Sequence, residues 1–280
     1  MHTRIALSNA ELEALLREDV PYGDMTTAAL GIVGRSGQIR FHARDAMIVC
    51  GIEEAGRLFE LAGAHTELFA VSGDTVPAGV PLMSAGGPAS ALFQAWKVAQ
   101  SLVESASGIS SVAMRMVEQA GSATVACTRK HFPGIKPMVV KAVYAGGAVM
   151  HRLGLSETVM VTAEHRAFLD DEERASYLKR IHKRLPEKKC VVEVDTVADA
   201  LLLVQQGCDV IQLEKLAPAD VAQVVAAAHA RGDGRTVVAA AGGINPGNVA
   251  EYAASGADVL VTSAPFFAGP RDVQVSFERE

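Results

Sequence analysis

Six short apolar runs rich in Val recur through the second half of this chain, with polar turns between them and helix-like stretches between most. They are "SATVACT", "TVMVTA", "KCVVEVD", "DVIQLE", "TVVAAAGG" and "DVLVTSA". Runs that are apolar on both faces read as parallel strands covered on both sides, joined through helices such as Val197 to Gln206 and Pro218 to Arg231. Six such units over about 145 residues predict an α/β chain with a TIM-like barrel rather than an open doubly wound sheet. In a parallel barrel the chemistry sits at the carboxyl ends of the strands.

The polar residues fall at those ends. Arg129 and Lys130 follow the first run, Glu193 and Asp195 close the third, Glu214 the fourth, Gly242 and Gly243 the fifth, Thr262 and Ser263 the sixth. One mouth is therefore expected to gather cations, carboxylates and a glycine turn. Before residue 108 the texture differs. The alternating "GQIRFHARDAMIVCG", the helical "IEEAGRLFELAGA" and the turn-broken "TELFAVSGDTVPAGVPLMSAGG" predict a small α+β or sandwich-like domain over residues 1–108. A barrel domain then spans 109–269, and the alternating tail predicts a strand over 270–280 returning to the first domain. Between the two textures, apolar residues at helical spacing from Ala89 to Glu118, interrupted at Gly108, predict one long helix or two.

With 280 residues and 49% hydrophobic content, the chain can bury a large core. A formal charge of −6 and only 5% aromatics exclude a surface built for nucleic acid or anionic lipid, so any cationic chemistry is local. Cys50, Cys127, Cys190 and Cys208 are widely spaced and form no Cys-x-x-Cys, which predicts buried reduced thiols in a cytoplasmic protein. The start "MHTRIALSNAELEALL" reads as an amphipathic helix capped at Ser8 or Asn9, not as an export signal. Thr75 to Trp96 is uncharged but broken by Pro77, Pro81, Pro88 and several glycines, so no membrane span is expected.

Local positive charge is concentrated in and just after "ACTRKHFPGIKP": Arg129, Lys130, His131, Lys136, Lys141, His151 and Arg152 precede the next acid, Glu157. A solvated charged face is the ordinary reading of such a run. A small substrate with several negative charges fits better, because Arg offers a bidentate fork to carboxylate or phosphate and Lys a point charge. Glu193 and Glu214 end successive strands, so they can share one divalent cation, magnesium by preference, or one cationic transition state, unless each is a salt-bridge partner of the basic run. Gly242 and Gly243 could expose N–H groups to a phosphate, aided by the following helix and by the Thr262 and Ser263 hydroxyls, or could serve tight packing alone. His131, His165 and His182 are assigned no role.

"EDVPYGDMTT", "ASGIS", "TRKHFPGIK", "AGGAVMHRLGLSE", "VEVD" and "AAGGINPGNV" occur in the order seen in quinolinate phosphoribosyltransferases, the nicotinate-nucleotide pyrophosphorylases. The chain resembles that family from about residue 11 to 275 as an ensemble of motifs, and "TRKHFPG" and "VTSAP" resemble its ModD branch, associated with molybdenum utilisation. The resemblance implies an amino-terminal α/β sandwich, an incomplete carboxy-terminal α/β barrel and a homodimer in which one subunit covers its partner's barrel mouth. It implies a phosphoribosyltransferase using phosphoribosyl pyrophosphate and Mg2+. Carried over by position, Arg129, His151 and Arg152 resemble binders of acceptor carboxylates, and Lys130 a catalytic residue serving both substrates. Glu193 and Glu214 resemble the acidic pair at the ribose and metal, Glu214 standing where quinolinate enzymes have Asp. Gly242, Gly243 and Ser263 fall at the phosphate site.

Four positions depart from the quinolinate pattern. Lys97 stands at an Arg donated across the dimer, Thr162 at an acceptor-binding Lys, Ala241 at a Ser and Ser263 at a Gly. An acceptor other than quinolinate is consistent with these changes. The other readings are a non-catalytic small-anion or nucleotide binder on the same scaffold, and a phosphate-binding barrel enzyme of unrelated chemistry.

Overall fold

The computed structural model describes residues 4–231, 234 and 236–279. The elements of the first half are α1 (Asn9–Asp19), α2 (Met25–Ala29), β1 (Ser36–Ala43), β2 (Met47–Ile48), α3 (Ile52–Ala62), β3 (His65–Leu68), β4 (Thr75–Val76), β5 (Pro81–Pro88) and α4 (Ala89–Ala120). There follow β6 (Thr124–Cys127), α5 (Lys136–Ala145), β7 (Val149–Met150), β8 (Val159–Val161), α6 (Ala163–Arg166), α7 (Asp171–Arg184), β9 (Cys190–Val194) and α8 (Val197–Gln206). The chain continues through β10 (Val210–Glu214), α9 (Pro218–Ala230), β11 (Val237–Ala241), α10 (Val249–Ala254), β12 (Val259–Thr262) and β13 (Val273–Arg279).

Two compact units emerge. One holds the residues up to Met114, His131–Gly147 and those from Pro265 on; the other holds Arg115–Lys130 and Ala148–Ala264. The expected seam at residue 108 thus lies inside a single helix, α4, of 32 residues. Gly108 does not interrupt that helix. It serves a close approach instead: a Cβ there would stand 2.4 Å from the Gly269 carbonyl oxygen. The expected barrel segment 109–269 also loses α5 and the residues after Ala264 to the first unit.

In the first unit, a four-stranded antiparallel sheet runs in the order β13-β1-β5-β3. The tail is the expected return strand, pairing Phe41 with Val275 and Ile39 with Phe277; Glu280 lies outside the described residues. Alternation along β1 sends Ile39, Phe41 and Ala43 into a core shared with Leu12 of α1 and Leu58 and Phe59 of α3. The Phe41 and Phe59 rings meet edge to face at 5.9 Å. Ser8 caps α1 in a reciprocal box with Glu11, as its sequence predicts.

In the second unit, seven parallel strands run in the order β7-β6-β12-β11-β10-β9-β8. Six are the Val-rich runs; the seventh, β7, has two residues, too short to show a pattern. Among the described residues β7 and β8 are not hydrogen-bonded to each other, so the barrel is incomplete. Parallel pairing brings all seven carboxyl ends to one side. Among the described residues no helix is long and apolar enough to cross a membrane.

Candidate active site

A cavity of about 660 Å³ opens at those carboxyl ends, lined entirely by the second unit. Past the end of β6, Thr128 N donates to Thr262 O at 2.9 Å, and His151 N donates to Cys127 O at 2.8 Å just after β7. These bonds turn the two basic pairs, Arg129 with Lys130 and His151 with Arg152, into the cavity wall. Burial, and then the charge of Arg129, lowers the Arg152 pKa, while Glu193 partly offsets both. Two guanidiniums that repel one another beside a cavity form a site that an anion would stabilise. His151 is pushed below its ordinary range, first by burial and then by Arg152.

The rest of the basic run goes elsewhere. Lys141 is buried in the first unit, its Nζ bonded to Glu53 Oε2 at 2.8 Å and to Glu54 Oε2 at 2.6 Å. His131 and Lys136 also belong to the first unit, His131 packing edge to face on Phe266 at 5.8 Å. Lys97 does not line the cavity either; it lies in the first unit, with Nζ 4.2 Å from the Trp96 ring centroid and 3.1 Å from Gln100 Oε1.

On the acidic side, Glu193 and Glu214 line the cavity from adjacent strands. Burial, and then the like charge of Glu214, raises the Glu193 pKa. Gln212 Nε2 donates to Glu193 Oε2 at 2.6 Å, and Arg166 Nη1 donates to the Glu193 carbonyl at 2.7 Å. Neither Gln212 nor Arg166 was expected here. A polar residue inside the apolar run "VIQLE" was a visible signal for Gln212; Arg166 carried none, because its place depends on the short α6 after β8. Thr162 lines the cavity, but its hydroxyl is 2.9 Å from His165 Nδ1.

At the end of β11, Gly242 and Gly243 have φ of 89° and 82°, a region open to glycine. A Cβ on Gly242 would meet Lys215 N at 2.8 Å and Glu214 Oε1 at 2.9 Å, so only glycine lets this turn lie against the end of β10. Neither glycine N–H has a hydrogen-bond partner among the described residues, which leaves both free for an anion. The supports expected around this turn differ. The Thr262 hydroxyl is 2% exposed and already used, donating to Ile244 O at 2.7 Å and accepting from Ala264 N at 3.0 Å, so it pins the turn. Helix α10 follows at Val249, after a turn in which Asn245 N donates to Asn248 Oδ1 at 2.8 Å. Ser263 lines the cavity, and so does Lys215, which sequence reading passed over.

Comparison with known proteins decides the lineage. The quinolinate phosphoribosyl transferase C-terminal domain matches residues 109–274 and the N-terminal domain residues 24–107. The chain belongs to the quinolinate phosphoribosyltransferase family. Among its relatives, the candidate pyrophosphorylase ModD of Rhodobacter capsulatus is 46% identical over 248 residues, covering 87% of this chain and 95% of that protein. The candidate carboxylating nicotinate-nucleotide pyrophosphorylase of Archaeoglobus fulgidus is 30% identical, over 86% of this chain and 92% of its own. The nicotinate-nucleotide pyrophosphorylase structure from Francisella tularensis shares the fold, with a TM-score of 0.89 at 19% identity over 99% of each chain. A quinolinate phosphoribosyltransferase is a pentosyltransferase, and this family member carries that coarse activity. The two family domains meet between residues 107 and 109.

Proposed function

We propose that this family member transfers phosphoribose from phosphoribosyl pyrophosphate to a small anionic, aromatic acid that is quinolinate-like but not necessarily quinolinate. The observation that carries the reading is one cavity lined by a mutually repelling Arg129–Arg152 pair, a Glu193–Glu214 pair and an unpartnered glycine turn. Displacing pyrophosphate from the ribose carbon builds positive charge at the sugar, which two carboxylates can stabilise. The leaving group and the acceptor are anions, which the cations can hold. In this reading Arg129, His151 and Arg152 bind the acceptor acid, and Lys130 lies between acceptor and pyrophosphate. The N–H groups of Gly242 and Gly243, with Ser263, hold the ribose 5-phosphate.

The donor set suits magnesium. Two carboxylates on neighbouring strands, one with its pKa raised by burial and then by the other, are hard oxygen ligands of the kind the ion takes. Glu193 and Glu214 would hold the ion on one side and substrate oxygens on the other, and the ion would neutralise pyrophosphate charge. The family resemblance further supports a cytoplasmic homodimer to which Lys97 contributes a cation across the interface, and a role in molybdenum utilisation.

The test is pyrophosphate release from phosphoribosyl pyrophosphate and magnesium against a panel of pyridine, pyrimidine and pterin acids. Turnover is expected with at least one, and Glu193→Ala or Lys130→Ala should lower it about 10²–10³-fold, the scale for losing one preorganised electrostatic contact. Tight binding of an acid without product would favour a non-catalytic binder. Failure to bind phosphoribosyl pyrophosphate at all would overturn the proposal.

A further inference from the structure

Gln212 is 4% exposed in the middle of β10, in register with Glu193 on β9 and Ala239 on β11. Strand alternation puts it on the same face as Val210, Ala239, Ala241, Val259 and Val261, which form an apolar cluster. Its two amide ends have different fates. Nε2 donates to Glu193 Oε2, whereas Oε1 is buried without any hydrogen-bond partner. A buried orphan acceptor destabilises a fold, and a Met or Leu of similar length among these neighbours would remove that burden. The fold therefore gives no reason for an amide at this position. The reason lies at the cavity, which Gln212 and Glu193 both line and where Gln212 holds one oxygen of the Glu193 carboxylate. Arg166 holds the Glu193 main chain at the same time.

We infer that Gln212 is a positioning residue, holding the Glu193 carboxylate in its working orientation at the expense of fold stability. The inference rests on the proposed role of Glu193 toward the ribosyl donor, and the experiment separates the two.

Gln212→Met and Gln212→Leu are made in the full chain and in a Glu193→Ala background. The thermal midpoint should stay level or rise by about 2–4 °C. Affinity for phosphoribosyl pyrophosphate with magnesium, by calorimetry, should fall about tenfold, while affinity for inorganic phosphate at the glycine turn holds. In the Glu193→Ala background the same substitution should change affinity less than about twofold, since residues acting through one another are non-additive. A lowered midpoint or failure of both variants to fold would show Gln212 to be a packing residue and overturn the inference. So would unchanged affinity, or a full tenfold loss in the absence of the Glu193 side chain. Wild-type protein that binds no phosphoribosyl pyrophosphate would overturn the functional reading along with it; wild-type binding that the variants match would sink the inference alone.

Discussion

His151 is half-buried beside Arg152, and both circumstances favour the neutral ring, with Glu157 opposing them weakly. At neutral pH the positive charge at this mouth therefore comes from Arg129, Lys130 and Arg152, with Arg166 and Lys215, while a neutral His151 adds none. The folded-state pKa is depressed below 6.5, so the unfolded chain takes up a proton first as pH falls. The stabilising contribution is complete above pH 6.5, is lost as pH drops toward the folded pKa, and levels off below it. Thermal melts at pH 7.5 and 5.0 should show wild-type losing more of its midpoint than His151→Gln. Equal losses would show that burial and Arg152 do not govern this ring.

At the scale of elements, the contact between α3 and α5 turns on Lys141, whose side chain is 2% exposed between Glu53 and Glu54 at 10% and 0%. Removing the ammonium leaves two buried carboxylates without their cation, and breaking a buried pair in this way costs about 3–5 kcal/mol. Lys141→Met should lower the denaturation free energy by that amount, read from urea unfolding; a change below about 1 kcal/mol would place the pair in the near-neutral class of surface bridges. Lys141 also shows where sequence reading reaches its limit. Parallel strands, α8 and the return strand β13 were legible because periodicity of 2 or 3.6 and burial on both faces are local signals. So were Arg129, Glu193, Glu214 and Gly242, because a residue at the end of such a strand has little choice of place. Lys141 looked like one more cation of a basic run, yet α5 carries it into the first unit's core, and no local signal distinguishes those outcomes. Thr262 misled for the same reason: a hydroxyl at a strand end can meet a ligand or, as here, its own turn. Gly108 left one long helix or two open in the sequence; the structure has one, and a tertiary contact with Gly269 accounts for the glycine.

Across the whole molecule, the four cysteines report on each unit separately. Cys50 lies in the first, Cys127, Cys190 and Cys208 in the second, and all four are buried free thiols. Burial pushes Cys50, Cys127 and Cys208 up to about 12 and Cys190 to about 11. The thiolate is the reactive form, so at pH 8 a thiol with a pKa near 12 is ionised on the order of one part in ten thousand. Folded protein should therefore resist iodoacetamide, and labelling should track opening of the surrounding unit. The cavity belongs to the second unit alone, so a ligand bound there stabilises that unit by mass action, about 2.7 kcal/mol at a hundred times its dissociation constant. With phosphoribosyl pyrophosphate and magnesium present, peptides carrying Cys127, Cys190 and Cys208 should be labelled only at higher urea. Rapid labelling of the native chain would contradict the burial of these thiols. An unchanged urea dependence at saturating ligand would mean that the ligand does not bind where Arg129, Arg152, Glu193 and the glycine turn converge.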